Sequence, residues 1–498
     1  MGVTAISAEH DSLKAYLECV LTEDQLKRPL LTNFNHWIFA QDALAELAMT
    51  LHSRGAQVSV GLWADKTPML DIAWETQRIF GTLLLSPTRE AQIETALKKA
   101  GLSKTSFIKP PIHSWKPYEP IHIPEILNRT NIRAMAYRGA DVGRAILQIH
   151  PNRNTPTTDD HLWPWAWVKA AAESFAYVFD QTHLAIMRRD ITMLAVYNGR
   201  FLHDRAAAVA AESLSIPVVS YDLGGLDTDF DLTIDDTHDW EALQKRMINL
   251  YEGWDPKDRD KVGGQWFLDR RQHLDKMNSL FVEAQEIGSL VELPTGRKIV
   301  VYFSSSGDEM IELDLDWDSY FGGQENALSL VAQICAEDPD IYFIVRSHPH
   351  KRHKPKNDVK EWMAAVEKAN PDLHLDHHST VDSYELMQSA DLVITYGSTT
   401  GVEAAFAHKP VLVLGPSAYN YLGCAIQPSN EAQLRYAIKN PTAGSWNGAV
   451  SYGLMMKRRG FIREHGAVFG EVKDTKLLIK NLSMIRRNRS FKKYLETN

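Results

Sequence analysis

DIYFIV (Asp340 to Val345) runs straight into Arg346-Ser347-His348-Pro349, and DLVIT (Asp391 to Thr395) runs into Tyr396-Gly397-Ser398-Thr399-Thr400-Gly401-Val402-Glu403. Each apolar run is short, nearly continuous and bounded by turn residues, the pattern of a parallel strand covered on both faces. KIVVYF (Lys298 to Phe303) ends likewise in Ser304-Ser305-Ser306-Gly307, and VLVL (Val411 to Leu414) ends in Gly415-Pro416-Ser417. Helical patterns at Asn326 to Ala336, Val359 to Asn370, Ser383 to Ser389 and Val402 to Ala407 separate the four runs, so this half reads as repeated βα units. In an open α/β sheet the ligand crevice lies outside the carboxyl ends of the strands. Serines, a histidine and an arginine fall there, and a phosphate or nucleotide is the expected guest.

Thr400-Gly401-Val402-Glu403 has the spacing of a capping box, with Thr400 as N-cap and Glu403 reaching back. A helix starting there would turn free N–H groups toward an anion beside Ser398 and Thr399. The competing reading is a turn that uses Ser, Thr and Gly only to cap. Arg346, His348, His350, Lys351, Arg352, His353 and Lys354 concentrate cationic or protonatable groups after one strand. Among them His348 is the expected phosphate contact, Pro349 stops the strand, and the Lys351 to Lys356 run is a solvated loop. Zinc on His348, His350 and His353, or on His374, His377 and His378, is disfavoured because no cysteine supports either cluster and adjacent His residues chelate awkwardly.

Arg346-Ser347-His348-Pro349, Gly397 to Ala405 (GSTTGVEAA) and Lys409 to Gly415 (KPVLVLG) together resemble the donor-binding half of GT-B glycosyltransferases of the capsule and surface polysaccharide type. Phe303 to Glu309 (FSSSGDE) and Tyr197-Asn198-Gly199-Arg200-Phe201 are similar too. The likeness is densest over residues 298 to 425. It implies two Rossmann-like α/β domains facing a central cleft, without a metal or other cofactor. It also implies that the His-Pro pair and the Ser/Thr pair hold the phosphate of a nucleotide-activated sugar, such as a CMP-linked acidic sugar. The expected donor set is therefore Ser304, Ser305, Ser306, Arg346, His348, Pro349, Ser398, Thr399, Thr400 and Glu403, with a glycan or lipid-linked glycan as acceptor.

Composition fits such an enzyme. The 498 residues suffice for two or more domains, and 44% hydrophobic content is that of an ordinary globular protein. A formal net charge of -9 argues against general nucleic-acid binding. Cys19, Cys335 and Cys424 are few, scattered and odd in number, which suggests neither a disulfide framework nor a zinc ribbon. The stretch MGVTAISAEHDSLKAYLECV lacks the basic leader and apolar core of a signal peptide, and no run approaches the roughly eighteen apolar residues of a membrane span. A cytoplasmic protein, soluble or peripheral at the membrane, is expected.

The first half is also α/β. Arg28 to Phe34, a helix over Ile38 to Ser53, and Gln57 to Trp63 read as an opening βαβ unit, and Thr192 to Tyr197, a helix over Phe201 to Leu214, and Ile216 to Tyr221 as another. Thr105 to Pro124 is a Pro-rich excursion, and Asp255 to Ala284 is charged and helical. Periodicity fades near Gly288 to Gly296, giving expected domains 1–290, 291–460 and a basic tail 461–498. Asn198 and Arg200 sit at a strand end suited to an anion or acceptor, or form only a tight turn with a surface Arg. Asp222 ends the next strand and is the leading candidate for the carboxylate that glycosyl transfer needs, with Asp227 and His36 behind it. Asp227, Asp229, Asp231, Asp235 and Asp236 crowd one segment, where any of them reads equally well as solvated. Asp314, Asp316 and Asp318 alternate with Leu315 and Trp317, an exposed edge or loop rather than a metal site.

Lys473 to Lys493 carries eight Lys or Arg against the single Asp474, with Leu478, Leu482 and Ile485 at helical spacing. This tail either packs back as a closing helix or meets anionic lipid, readings that salt-sensitive sedimentation with anionic vesicles separates. No dinucleotide fingerprint, Walker loop or H-E-x-x-H helix competes. The alternatives to a glycosyltransferase are a sugar-nucleotide 2-epimerase or polyol-phosphate transferase sharing the crevice, and a non-catalytic nucleotide-sugar-binding assembly protein.

Overall fold

A computed structural model describes residues 12–34, 38–63, 93–109, 115–148, 162–225, 229–234, 239–275, 278, 282–306, 321–353 and 356–462. His36, Asp227, the Asp314 to Asp318 run and the basic tail beyond Ile462 lie outside the described residues. The chain is α/β, and its described residues build two sheets.

In the first sheet, β1 (Pro29–Thr32), β2 (Ser59–Gly61), β3 (Phe107–Ile108), β4 (Met193–Tyr197) and β5 (Val218–Leu223) run parallel in the order β3-β2-β1-β4-β5. That is the strand order of a mononucleotide-binding Rossmann sheet. β6 (Asp229–Thr233) pairs antiparallel with β5. Asp229 and Asp231 are buried on it, so they are not solvated loop residues. Alternation in DFDLT resembles a half-polar edge, and only the tertiary setting buries both faces.

The second sheet is wholly parallel: β7 (Lys298–Phe303), β8 (Ile341–Arg346), β9 (Leu373–Leu375), β10 (Leu392–Thr395) and β11 (Val411–Val413) stand in the order β11-β10-β7-β8-β9. β-Branched and aromatic residues pack both of its faces, which is why its strands read as unbroken apolar runs. The helices Gln324–Ala336, Lys356–Ala369, Ser383–Ser389 and Thr400–Phe406 connect them. A last strand, β12 (Phe461–Ile462), returns to the first sheet and pairs antiparallel with β6.

Of the described residues, those up to 224, with 229–234 and 460–462, form one compact unit, and 225 with 239–459 forms the other. The second unit thus begins before the fading of periodicity near 288–296, and the charged segment after Asp255 belongs to it. Its helix Pro256–Arg271 packs on Trp446–Arg458. Glycines let the two backbones approach: a Cβ on Gly263 would lie 2.5 Å from the Val450 carbonyl oxygen. Phe267 stacks on Phe406 at 4.2 Å, and Trp266 meets Tyr452 edge-on at 5.3 Å. Gly263→Ala is expected to destabilise the second unit by about 1 to 3 kcal/mol, the overpacking cost outweighing the better helix propensity of Ala. A thermal or urea transition at or above the wild-type midpoint would refute that close packing.

Candidate functional site

β7 lies between β8 and β10, so the chain reverses direction across the sheet at β7 and β10, and the loops leaving their carboxyl ends bound a crevice. Ser304, Ser305 and Ser306 follow β7; Ser347, His348, Pro349 and His350 follow β8; Gly397, Ser398, Thr399 and Thr400 follow β10. All of them line one cavity of about 230 Å³, and Arg346 and Glu403 line it as well. The structure therefore brings the expected donor residues together within the second unit.

Their hydrogen bonds divide the labour. Ser304 Oγ accepts from the His348 N–H at 2.8 Å, tying the end of β7 to the end of β8. Gln324 Oε1 accepts from the Ser305 N–H at 2.6 Å. Ser305 Oγ is buried on the cavity wall without a protein partner, a costly state unless a guest engages it. His348 Nδ1 accepts from the His350 N–H at 3.2 Å, so the neutral ring carries its proton on Nε2. A ring fixed in this way presents an N–H donor. Behind it, Ser347 Oγ accepts from Trp362 Nε1 at 2.7 Å and lies 2.9 Å from His374 Nε2. Burial pushes the His374 pKa below its usual 6.5, which keeps that ring neutral.

Arg346 plays a different part from the one its position suggests. Only 1% exposed, it donates from Nη1 to the Asp376 carbonyl at 2.6 Å and from Nη2 to the Ser379 carbonyl at 3.2 Å. Burial lowers its pKa to about 10. Its terminal nitrogens arch the loop after β9, and only Nε is left without a partner.

The capping box is absent. The helix starts at Thr400 with Thr399 as N-cap and no side-chain cap bond, and its seven residues leave little macrodipole. Ser398 does the capping instead: its Oγ accepts from the Thr400 N–H at 3.3 Å and donates to Thr400 Oγ1 at 3.1 Å. Glu403 turns away because a guanidinium takes it, Arg270 Nε lying 2.6 Å from its Oε1. Such a charge-assisted bond outweighs a cap bond.

The sequence does not mark Arg270 as a site residue, nor Asn278, Val282, Gln285, Ser383 and Tyr384, which share the cavity wall. An Arg in the last turn of a helix reads as an ordinary dipole complement, so its sequence carries no other signal. Arg270 Nη1 also meets Asp275 at 3.1 Å, Nη2 donates to Asn278 Oδ1 at 2.9 Å, and Asn278 Nδ2 lies 3.1 Å from Tyr384 Oη.

In the first unit, Asn198, Arg200 and Asp222 stand at the ends of β4 and β5. Asn198 adopts φ 54° and Gly199 φ 78°, the left-handed turn that Asn and Gly accept most readily. Asp222 Oδ1 accepts from Tyr197 Oη at 3.1 Å and from the Leu223 N–H at 2.7 Å, and Asn198 Nδ2 donates to Oδ2. Burial above all, then the Asp222 charge, raises the Tyr197 pKa, so its hydroxyl stays a donor. The Arg200 guanidinium lies 4.8 Å from the Phe201 ring centroid. Among the described residues no three His, Cys, Asp or Glu side chains gather as a metal site. No helix among them is long and apolar enough to cross a membrane.

Residues 272–449 match the family model described as capsule polysaccharide biosynthesis protein, a span that begins beside Arg270 and includes the cavity loops. A curated relative, protein FixF of Sinorhizobium fredii, is 24% identical over 142 residues, which are 28% of this chain and 32% of FixF. Among solved structures, the β-Kdo 2,4-transferase of Thermosulfurimonas dismutans KpsC is 15% identical with a TM-score of 0.36, covering 54% of this chain and 84% of that one. The UDP-GlcNAc 2-epimerase of Neisseria meningitidis, solved with UDP-GlcNAc, is 11% identical with a TM-score of 0.26, covering 92% of this chain and all of that one.

Proposed function

We propose that the chain is a glycosyltransferase of capsule or surface polysaccharide assembly, which binds a nucleotide-activated sugar in the cavity at the ends of β7, β8 and β10. The observation that carries this reading is the convergence of Ser304 to Ser306, His348 and Ser398 to Thr400 on one cavity. The match of residues 272–449 to the capsule polysaccharide biosynthesis model supports it. The acceptor is a surface glycan, free or lipid-linked, and the enzyme works at the cytoplasmic face of the membrane.

The charge balance of the wall favours a donor with one phosphate over one with two. Among the described lining residues the arginines are Arg270 and Arg346, and both are engaged by protein acceptors. The rest of the polar wall is chiefly serine and threonine hydroxyls with His348 and His350. A phosphodiester with a single charge, as in a CMP-linked sugar, suits such a site better than a diphosphate.

Thermal unfolding with CMP-, UDP-, GDP- and CDP-linked sugars tests this. The CMP-linked donor is expected to stabilise most, by about 2.7 kcal/mol at a hundred times its Kd. Stabilisation by a diphosphate-linked donor alone would overturn the single-phosphate reading. Conversion of the donor sugar to its epimer without any acceptor would replace the transferase by an epimerase.

A further inference from the structure

The cavity holds a buried carboxylate where an anion is expected. Glu403 is buried, only 7% exposed, on the cavity wall. Asp275 adds a second negative charge nearby, and Tyr384, Tyr419 and Tyr452 are the other titratable groups that face Glu403. Burial raises the Glu403 pKa above its usual value even though the Arg270 guanidinium pulls it down. Burial opposes the charge on Arg270 as well, but Glu403, Tyr384 and Asp275 hold its pKa above the usual value, so it stays a cation. Its plane lies 4.5 Å from the Trp266 ring, on a helix locked by the Gly263 packing.

We propose that Arg270 is the positioning and charge-balancing residue of the donor pocket. It cancels the Glu403 carboxylate so that a phosphate-bearing guest can enter, and through Asn278 it sets Tyr384 in the wall. The proposal rests on the reading of this cavity as a nucleotide-sugar site. Without Arg270 the guest would face the Glu403 carboxylate with its cation gone, and Asp275 would lose the same partner. Even about 10 Å from a bound phosphate, one uncompensated charge at an effective dielectric near 20 weakens binding roughly tenfold. Burial favours the neutral form of a Glu deprived of its cation, so that penalty is greatest at alkaline pH and fades where Glu403 takes up a proton.

The test is calorimetric titration with CMP and with UDP, using whichever wild type binds more tightly, at about pH 6 and about pH 8.5. Each variant is compared with wild type at the same pH, which removes the titration of the nucleotide itself. Arg270→Met is expected to bind at least about tenfold more weakly at the higher pH and to recover most of the deficit at the lower. Arg270→Lys restores much of the affinity at both. Arg270→Met with Glu403→Gln, a neutral pair in place of the ionic one, shows no pH-dependent deficit. A deficit of equal size at both pH values, or none, overturns the charge-balancing role while leaving the nucleotide site standing. Failure of wild type to bind either nucleotide overturns the site itself. If Arg270→Met does not fold, Glu403→Gln must bind at least about tenfold more tightly than the double variant, and equal affinity refutes the proposal.

Discussion

Asp222→Asn is expected to lower sugar transfer by about two to four orders of magnitude while leaving the affinity for donor nucleotide unchanged. The side chain sits at the carboxyl end of β5, where the ligand crevice of an open α/β sheet is found. Tyr197 Oη, Asn198 Nδ2 and the Leu223 N–H converge on its carboxylate. Three donors fix the orientation of the carboxyl group at the strand end, where an acceptor hydroxyl could meet it. Asn keeps the shape but puts an NH2 group where one donor already points, so it can neither take a proton nor satisfy the whole cluster. Turnover should be measured with the donor that stabilises wild type, alongside a melting curve. Activity within a few fold of wild type removes Asp222 from the mechanism and moves the search to Asp227 and His36.

What the sequence disclosed, and what it hid, follows from how local each cause is. Lys298–Phe303 and Ser383–Ser389 fall where the apolar pattern puts them, and the helix Ile38–Ser53 likewise. A strand buried on both faces leaves a run such as KIVVYF that needs no partner to be read. The helix Trp165–Arg189 is not legible in the sequence. It is buried on most sides and so lacks one clean apolar stripe, and it encloses Asp180. That carboxylate is tied to Tyr137 Oη, Trp115 Nε1 and the Tyr118 N–H, all distant in sequence. Glu403 shows the same limit at the site. Its spacing from Thr400 satisfies the capping rule, yet a guanidinium 133 residues away claims it. The loops that line the cavity were legible because strand ends gather them. The wall supplied by Arg270 and Asn278 was not, because it comes from a segment whose attachment to the second unit is decided by packing against Trp446–Arg458.

His348→Ala, and separately Ser398→Ala combined with Thr399→Ala, are expected to weaken donor binding about tenfold to a hundredfold. His348 Nδ1 is occupied by the His350 N–H, so Nε2–H is the ring's donor on the cavity wall. A hydrogen bond from it to a phosphate oxygen is charge-assisted and contributes about 1.5 to 3 kcal/mol. Ser398 acts more locally, its hydroxyl shaping the turn that lines the cavity. Its removal with Thr399 therefore costs the Thr399 hydroxyl and the form of the loop. His348→Gln sharpens the test, because a Gln side chain still offers an N–H donor and should retain part of the affinity that Ala loses. Titration with the donor that stabilises wild type gives each number. Unchanged affinity in both the His348→Ala and the Ser398→Ala, Thr399→Ala proteins would remove the phosphate from this cavity. Equal losses in His348→Ala and His348→Gln would mean that the ring acts by packing rather than by donating its Nε2 proton.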